Sequence, residues 1–190
     1  VTAQKRLENA KHIPMSITAM SGEQIKAAGI ANMLDLSHSV PGLAVAETGP
    51  GRQIIVIRGL GSERGSSSLT GVYLDEMPVT GAQDGFNQSY IDLRAIDLER
   101  IEVLKGPQGT LFGEGAVGGA VRYITKDPDL TDLSSSLATS IYSTSNGGWS
   151  QEASGFLNVP LSETFGMRVA GQYENRSGWI DQPHIGREDI

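Results

Sequence analysis

The sequence predicts an α+β fold, with short helices and a small mixed sheet, followed by a run of long antiparallel strands. Two capped helices lie near the start of the chain, and several short β-branched segments follow them. Beyond Asp127 and Pro128, apolar and polar residues alternate over three longer segments that are separated by short turns. These observations indicate two regions of different architecture in one chain.

Both helices are marked by their capping residues. After an extended stretch over residues 1–20, Ser21 and Gln24 form the two ends of a capping box, and Gly29 ends the helix that it opens. Asn32 caps a second helix over Met33–Ser39, which a Pro-Gly pair terminates. Each helix is expected to span about two turns.

Short strands dominate the region from residue 43 to residue 125. The strongest is Gln53–Arg58, a continuous β-branched run typical of a strand buried on both faces. The others are Leu43–Ala46, Gly71–Asp75, Arg100–Leu104 and Ala120–Thr125. The small-residue segments between them are predicted to be loops: Thr48–Gly51, Gly61–Thr70, Thr80–Asn87 and Gly106–Gly119.

The third part of the chain alternates with a period of two. Its predicted strands are Leu133–Thr144, Trp149–Leu161 and Thr164–Arg176. In the last of them Phe165 and Met167 share one face, and Arg168 and Glu174 lie on the other. Strands of this length and alternation are typical of a transmembrane β-barrel, and equally of a long soluble hairpin or a sandwich sheet. Periodicity alone leaves these alternatives open.

Composition excludes several classes of function. The 15 basic and 22 acidic side chains give a net charge of −7, so no nucleic-acid partner is expected. The chain has no cysteine, which excludes disulfide scaffolds, thiol catalysis and iron–sulfur clusters. Its apolar runs are too short for a membrane-spanning helix. Glycine is abundant, with 24 of 190 residues.

The two ends of the chain suggest a piece of a longer protein. The first residue is Val1, and nothing after it resembles a signal peptide. The last stretch, from Ile180 to Ile190, is polar and closes no element. We therefore expect the chain to be a fragment.

No motif in the sequence predicts an enzyme. The segment Gly113–Gly118 matches G-x-G-x-x-G, but no strand directly precedes it and a β-type run follows, unlike a dinucleotide fold. The histidines, His12, His38 and His184, are too far apart in sequence for a metal site. No catalytic residue, metal site or intrinsic cofactor is expected, and a nucleotide-binding enzyme depends on the glycine motif alone.

A long motif in the middle of the chain resembles a known family. The run Asp97–Gly113 reads DLERIEVLKGPQGTLFG, and Ala116–Val121 continues it with AVGGAV. It strongly resembles the plug of TonB-dependent outer-membrane receptors, whose pattern is ERIEVLRGPQGxLYG followed by GGxIN. Two further segments agree in order and spacing: Val56–Gly59 with the family's IRG strand, and Gly71–Val79 with its VYVDGVPV segment.

The resemblance implies a plug domain at residues 1–130 and the first three or so strands of a 22-stranded transmembrane β-barrel at residues 131–190. It implies active transport across the outer membrane of a Gram-negative bacterium. The expected ligand is a ferric siderophore, so any iron arrives as cargo. Cobalamin, haem or carbohydrate uptake is the alternative, as is a ligand-sensing signalling receptor of the same architecture.

The resemblance also assigns partners and site residues. Val1, Thr2 and Ala3 correspond to the tail of the segment that pairs with TonB, which acts with ExbB and ExbD. Arg58 and Lys105, with Glu102, are assigned to a lock between the plug and the rest of its barrel. The family usually has arginine where this chain has Lys105, and lysine lacks the bidentate fork.

Ligand contacts are expected from three plug loops, at residues 48–52, 61–70 and 80–88. An arginine there suits an anionic siderophore, and an aromatic ring suits a ring-bearing ligand. The candidate residues are Arg52, Arg64, Gln83, Asp84, Phe86 and Asn87. Outer-membrane lipid is the expected surrounding of the barrel strands.

Overall fold

The chain divides into two compact units, Val1–Lys126 and Asp127–Ile190. A computed structural model describes residues 16–49, 52–61, 69–84, 87–90, 93–113, 115–143 and 148–177. At residues 47–49, 52, 80–84 and 87–90 the description covers the backbone only. The domain boundary expected from the sequence, after residue 130, lies a few residues beyond the observed division.

The first unit begins with the two predicted helices, α1 (Gly22–Ala27) and α2 (Met33–Ser39). The capping box is present, because Gln24 N donates to Ser21 Oγ at 3.3 Å and Ser21 N donates to Gln24 Oε1 at 2.9 Å. Asp35 N donates to Asn32 Oδ1 at 2.9 Å at the start of α2. Gly29 adopts a φ of +67°, which ends the first helical segment as predicted.

Nine strands lie in the described part of the first unit. They are β1 (Ser16–Ser21), β2 (Leu43–Gly49), β3 (Arg52–Ile57), β4 (Thr70–Leu74), β5 (Met77–Pro78), β6 (Thr80–Asp84), β7 (Asn87–Tyr90), β8 (Leu98–Lys105) and β9 (Gly119–Thr125). A short helix, α3 (Gly109–Phe112), lies between the last two strands. The five predicted strands are confirmed.

A mixed five-stranded sheet forms the centre of the unit, in the order β1-β8-β9-β4-β5. Strand β4 runs parallel to β9, and the other neighbours are antiparallel. Strands β2 and β3 form a separate antiparallel pair, as do β6 and β7.

Two of the predicted loops contain regular structure. The segment predicted as a loop at Thr80–Asn87 is largely the β6–β7 hairpin, so that prediction was wrong. Its strands consist mostly of small and amide residues, so the sequence has no apolar alternation there, and backbone pairing defines the hairpin. Within the predicted loop Gly106–Gly119, helix α3 was missed because one turn of helix has no periodicity to detect.

The two faces of the central sheet are covered differently. On one face, Ile101, Val103, Val121 and Tyr123 pack in a core that also contains residues of α1, α2, β2 and β3. On the other face a smaller apolar cluster contains Tyr73, Leu104, Phe112, Ala116 and Ala120. Glu102 lies two positions from Leu104, and Arg122 lies two positions from Ala120. Residues two apart in a strand share a face, so these buried charged side chains lie on the second face.

The second unit is a three-stranded antiparallel sheet in the order β10-β11-β12. The strands are β10 (Ser134–Ser143), β11 (Trp149–Ser162) and β12 (Phe165–Asn175), close to the predicted bounds. Apolar side chains of one face are exposed, among them Leu137 at 78% and Trp149 at 74%. On β11 and β12 most side chains of the opposite face are buried or half-buried, so on these strands the apolar face is the more exposed one.

Substitution of Gly119 tests the packing of β9 against β8 and β3. Its φ is +152°, and a Cβ there would meet the Leu104 carbonyl oxygen and lie 2.8 Å from Ile57 Cδ1. Gly119→Ala is expected to lower the free energy of unfolding of the first unit by about 3 kcal/mol, because backbone and core must both shift.

Gly109→Ala is the matched control. A Cβ at Gly109 would meet nothing within 4 Å, and the residue begins α3. We expect a change within about 1 kcal/mol, in the stabilising direction. Hydrogen exchange of the β8 and β9 amides in the full-length protein measures both variants, and equal effects would contradict the packing described.

Candidate functional site

Arg58 and Lys105 form a cationic pair at the ends of two strands. Arg58 directly follows β3 with a φ of +52°, and its N–H donates to the Gly42 carbonyl at 2.8 Å. Lys105 ends β8 and is half-buried. A Cβ on the neighbouring Gly106 would lie 3.9 Å from the Arg58 guanidinium, so this side chain extends toward the end of β8.

The pair carries two like charges close together. Burial and the positive charge of Arg58 both lower the pKa of the Lys105 ammonium. Among the described residues neither side chain forms an ion pair with a carboxylate. An anion would relieve this repulsion, so the electrostatics favour a negatively charged group beside the pair.

Glu102, predicted to act with them, has partners inside its own unit. Its side chain is fully buried. Oε1 accepts from Arg100 Nε at 2.7 Å, and Oε2 accepts from Arg122 NH1 at 2.9 Å. Its assignment to the lock stays a prediction, and its observed contacts join β8 to β9.

Arg122 is a site residue that the sequence analysis missed. Only 2% of its side chain is exposed, and besides Glu102 it binds Glu76 in the β4–β5 turn, with NH2 2.8 Å from Glu76 Oε1. The available signal was alternation, which places Arg100 and Glu102 on one face of β8. The register that makes Arg122 the partner of Glu102 is seen only in the structure. Glu76 had no such signal, because a turn has no periodicity.

Aromatic rings complete this face of the sheet. The Arg122 guanidinium lies 5.4 Å from the centroid of the Phe112 ring, a cation–π arrangement. That ring packs against Tyr73 with the centroids 5.2 Å apart, and the Tyr73 hydroxyl donates to the Phe112 carbonyl. Burial raises the pKa of this hydroxyl. The contacts hold the last residue of α3 against β4 and β9.

The segment from Gly106 to Gly118 contains α3 and directly follows Lys105 of the cationic pair. It is closed by two backbone hydrogen bonds, Gly106 N to Gly118 O at 3.0 Å and Gln108 N to Ala116 O at 2.8 Å. We call residues 106–118 the α3 segment. It begins directly after Lys105, whose backbone pairs with Ser16 on β1 and with Gly119 on β9.

The remaining predicted site residues are only partly described. Val1, Thr2, Ala3, Arg64 and Phe86 lie outside the described residues. The backbone places Arg52 in β3, Gln83 and Asp84 in β6, and Asn87 in β7, where Asp84 and Asn87 are register partners. Their roles in ligand binding stay predictions.

In the second unit, a buried asparagine anchors the segment that precedes β10. Asn158 on β11 is fully buried. Its Nδ2 donates to the carbonyls of Asp129 at 2.9 Å and Asp132 at 2.8 Å, and its Oδ1 accepts from Asp129 N at 2.9 Å. Hydrogen bonds from Thr131, first of all from its hydroxyl, lower the pKa of the Asp129 carboxyl. The turn is thus fixed to the sheet by polar contacts.

The polar face of the second unit carries side chains that interact with one another. Gln172 Nε2 donates to Glu152 Oε1 at 2.6 Å across β11 and β12. The Arg168 guanidinium lies 4.1 Å from the centroid of the Phe156 ring. This face is polar and partly covered, whereas the opposite face is apolar and exposed.

Two negative findings apply to the described residues. No helix among them is long and apolar enough to cross a membrane. No group of three or more His, Asp or Glu side chains in the same ranges is placed to hold a metal ion.

Comparison with known families decides what these elements are. The family model of the TonB-dependent receptor plug domain matches residues 9–120, which is more than half of the chain. The chain belongs to this family. The matched range contains Arg58, Lys105 and the whole α3 segment, and Arg122 lies two residues beyond it.

Curated relatives extend the likeness beyond the plug. The chain is 32% identical over 185 residues to the iron-regulated outer membrane virulence protein of Vibrio cholerae, covering 93% of this chain and 27% of that protein. It is 29% identical to the vitamin B12 transporter BtuB of Vibrio vulnificus, covering 98% of this chain and 29% of that protein. The chain thus spans less than a third of the length of these relatives.

A solved structure agrees with the fold. The ferric yersiniabactin uptake receptor FyuA from Yersinia pestis matches with a TM-score of 0.79 at 24% identity. The match covers 96% of this chain and 28% of that chain. It supports the plug fold and the strands that follow it.

Asn158→Ala tests the anchoring of the turn before β10. It would leave the carbonyls of Asp129 and Asp132 and the Asp129 N–H without their partner, which is expected to cost about 3 kcal/mol of unfolding free energy. Amide exchange at Asp129 and Asp132 in the full-length receptor measures the loss.

Asn175→Ala is the control, since Asn175 is exposed at the end of β12. We expect its effect to stay within about 0.5 kcal/mol. Unchanged protection of the turn in the Asn158 variant would show that the turn is held by other contacts.

Proposed function

We propose that the chain belongs to an active-transport receptor of the outer membrane of a Gram-negative bacterium. In this proposal the first unit is a plug that gates the lumen of a barrel, and the second unit supplies barrel strands. The observation that carries the proposal is the plug-domain match over residues 9–120, which includes the cationic pair and the α3 segment. The names of the relatives, an outer-membrane protein and a transporter, support it.

The second unit has the surface of a barrel wall. Strand β12 exposes Phe165, Met167, Val169 and Tyr173 on one face, over about 27 Å along the strand at ~3.4 Å per residue. Tilted by about 40°, that length spans about 21 Å across the membrane, most of the ~25 Å height of the apolar band of outer-membrane barrels. The polar face would then line the lumen of a 22-stranded barrel.

A ferric siderophore is the proposed ligand. The relative from Vibrio cholerae is named for regulation by iron, and FyuA takes up ferric yersiniabactin. The BtuB relative keeps vitamin B12 as a second candidate at a similar level of identity. No chemistry is performed on the ligand in this proposal, so the protein is a transporter and the iron is cargo.

Energy for transport would come from TonB with ExbB and ExbD. TonB would pair with the extended segment whose tail is Val1–Ala3, through backbone hydrogen bonds that add a strand to its own sheet. Force applied there would act on a plug whose cationic pair holds it in the barrel.

Uptake by cells tests the proposed function directly. A strain that carries the full-length receptor is given labelled ferric siderophores, cobalamin and haem, with and without TonB. We expect accumulation of one iron complex, reduced at least tenfold without TonB. Uptake that is unaffected by loss of TonB would overturn the proposal, and accumulation of cobalamin would select the second ligand.

Substitution of Lys105 tests the proposed lock between plug and barrel. If barrel carboxylates neutralise the cationic pair, Lys105→Met would leave buried carboxylates without their partner, and the plug would unfold at lower urea. We expect a loss of about 2 kcal/mol, and a gain for Lys105→Arg, whose fork binds carboxylates at two points.

Lys126→Met is the control, because Lys126 is exposed after β9. Urea unfolding of the plug within the intact receptor is followed by a fluorescent label on the α3 segment. A Lys105→Met receptor as resistant to urea as the control would rule out the lock.

A further inference from the structure

Arg122 lies at the meeting point of three elements. Its own strand is β9, its NH1 binds Glu102 on β8 at 2.9 Å, and its NH2 binds Glu76 in the β4–β5 turn at 2.8 Å. The guanidinium is therefore held at two points, which fixes its plane as well as its position. With 2% of the Arg122 side chain and none of the Glu102 side chain exposed, solvent does little to weaken the contact between these two.

The turn that presents Glu76 is itself fixed to β9. Asp75 N donates to the Tyr123 carbonyl at 2.7 Å. The Asp75 carboxylate accepts from Thr125 N and from Thr125 Oγ1, each at 2.9 Å. Asp75 has a φ of +52°, a conformation that a short acidic residue tolerates in a turn. The constrained turn thus places Glu76 against Arg122, although 60% of the Glu76 side chain is exposed.

The other side of the guanidinium faces the α3 segment. Arg122 lies over the ring of Phe112, the last residue of α3, and Tyr73 holds that ring from a second direction. The α3 segment is closed on itself by the Gly106–Gly118 and Gln108–Ala116 hydrogen bonds. Moving Phe112 therefore moves a closed segment whose first residue follows Lys105.

We infer that Arg122 is a positioning residue for the plug lock. Held by Glu102 and Glu76, it fixes the α3 segment through Phe112, and the first residue of that segment, Gly106, follows Lys105 and lies next to the Arg58 guanidinium. The consequence for transport rests on the proposed function, in which Lys105 binds carboxylates of the barrel. The positioning itself is a property of the first unit, and is measured without transport.

Glu76→Gln is the main variant. It is isosteric, it lies at an exposed turn, and it replaces the charged partner of Arg122 NH2 by a neutral one. Arg122→Lys is the second variant, because lysine keeps the charge and loses the two-point contact. Glu99→Gln is the matched control, since Glu99 is an exposed glutamate on β8 that pairs with Arg100.

Hydrogen exchange with mass spectrometry on the purified full-length receptor gives the first readout. Peptides over residues 105–118 are expected to exchange roughly 5-fold faster in Glu76→Gln and in Arg122→Lys, as loss of a partly exposed ion pair allows. Peptides over α1, and all peptides of Glu99→Gln, should exchange as in the native receptor. Unchanged exchange of residues 105–118 in both variants, or acceleration spread equally over α1, would overturn the inference.

A double-mutant cycle with Lys105→Met gives the second readout, the urea midpoint of plug unfolding. If Arg122 acts through Lys105, Glu76→Gln lowers the midpoint in the native background and has a smaller effect once Lys105 is removed. Fully additive effects would overturn the link to Lys105. If Lys105→Met alone changes nothing, the lock of the proposed function fails, and the exchange experiment decides the positioning role by itself.

Discussion

The contact between Arg122 and Glu102 joins the two central strands of the plug sheet, and the arrangement of the first unit depends on it. Both side chains are buried, on register partners of β8 and β9. Removing one member of such a pair leaves an uncompensated charge in the interior, at a cost of about 3–5 kcal/mol. Arg100, Glu76 and Phe112 are arranged around this pair, which therefore connects β8, β9, the β4–β5 turn and α3.

The two faces of the central sheet are held by different kinds of contact. One face packs aliphatic residues with the two capped helices and the β2–β3 pair, and this burial provides the hydrophobic contribution to stability. The other face binds α3 through charges and aromatic rings, whose geometry is directional. A face held by directional contacts fixes the position of the α3 segment more narrowly than aliphatic packing would.

Much of the fold could be predicted from local signals. The caps at Ser21 and Asn32, and the alternation in β10–β12, depend on neighbours a few residues apart, and each was confirmed. The family itself was recognisable from one contiguous motif, Asp97–Gly113. What could not be predicted are pairings between distant segments, such as Glu76 with Arg122, because no periodic pattern links a turn to a strand.

The residues of the candidate site were also predictable where they lie in a local motif, whereas their contacts were not. The IRG segment identified Arg58 and the long motif identified Lys105, and a Cβ on Gly106, next to Lys105, would lie 3.9 Å from the Arg58 guanidinium. Neither segment indicated that Glu102 is bonded to Arg100 and Arg122, since the sequence does not show which charges a sheet brings together. The hairpin β6–β7 was missed because backbone pairing between polar residues leaves no hydrophobic pattern.

The strand order of the first sheet also determines when each part of the chain folds. Strand β1 pairs with β8, about 90 positions later, and β4 pairs with β9, about 50 positions later. The strands of the second unit, by contrast, each pair with the next one along the chain. Non-local pairings close large loops and form slowly, whereas a meander forms from neighbours. The first sheet is therefore expected to assemble only once residue 125 is available, so β1 and β4 wait longer for their partners than the strands of the second unit do.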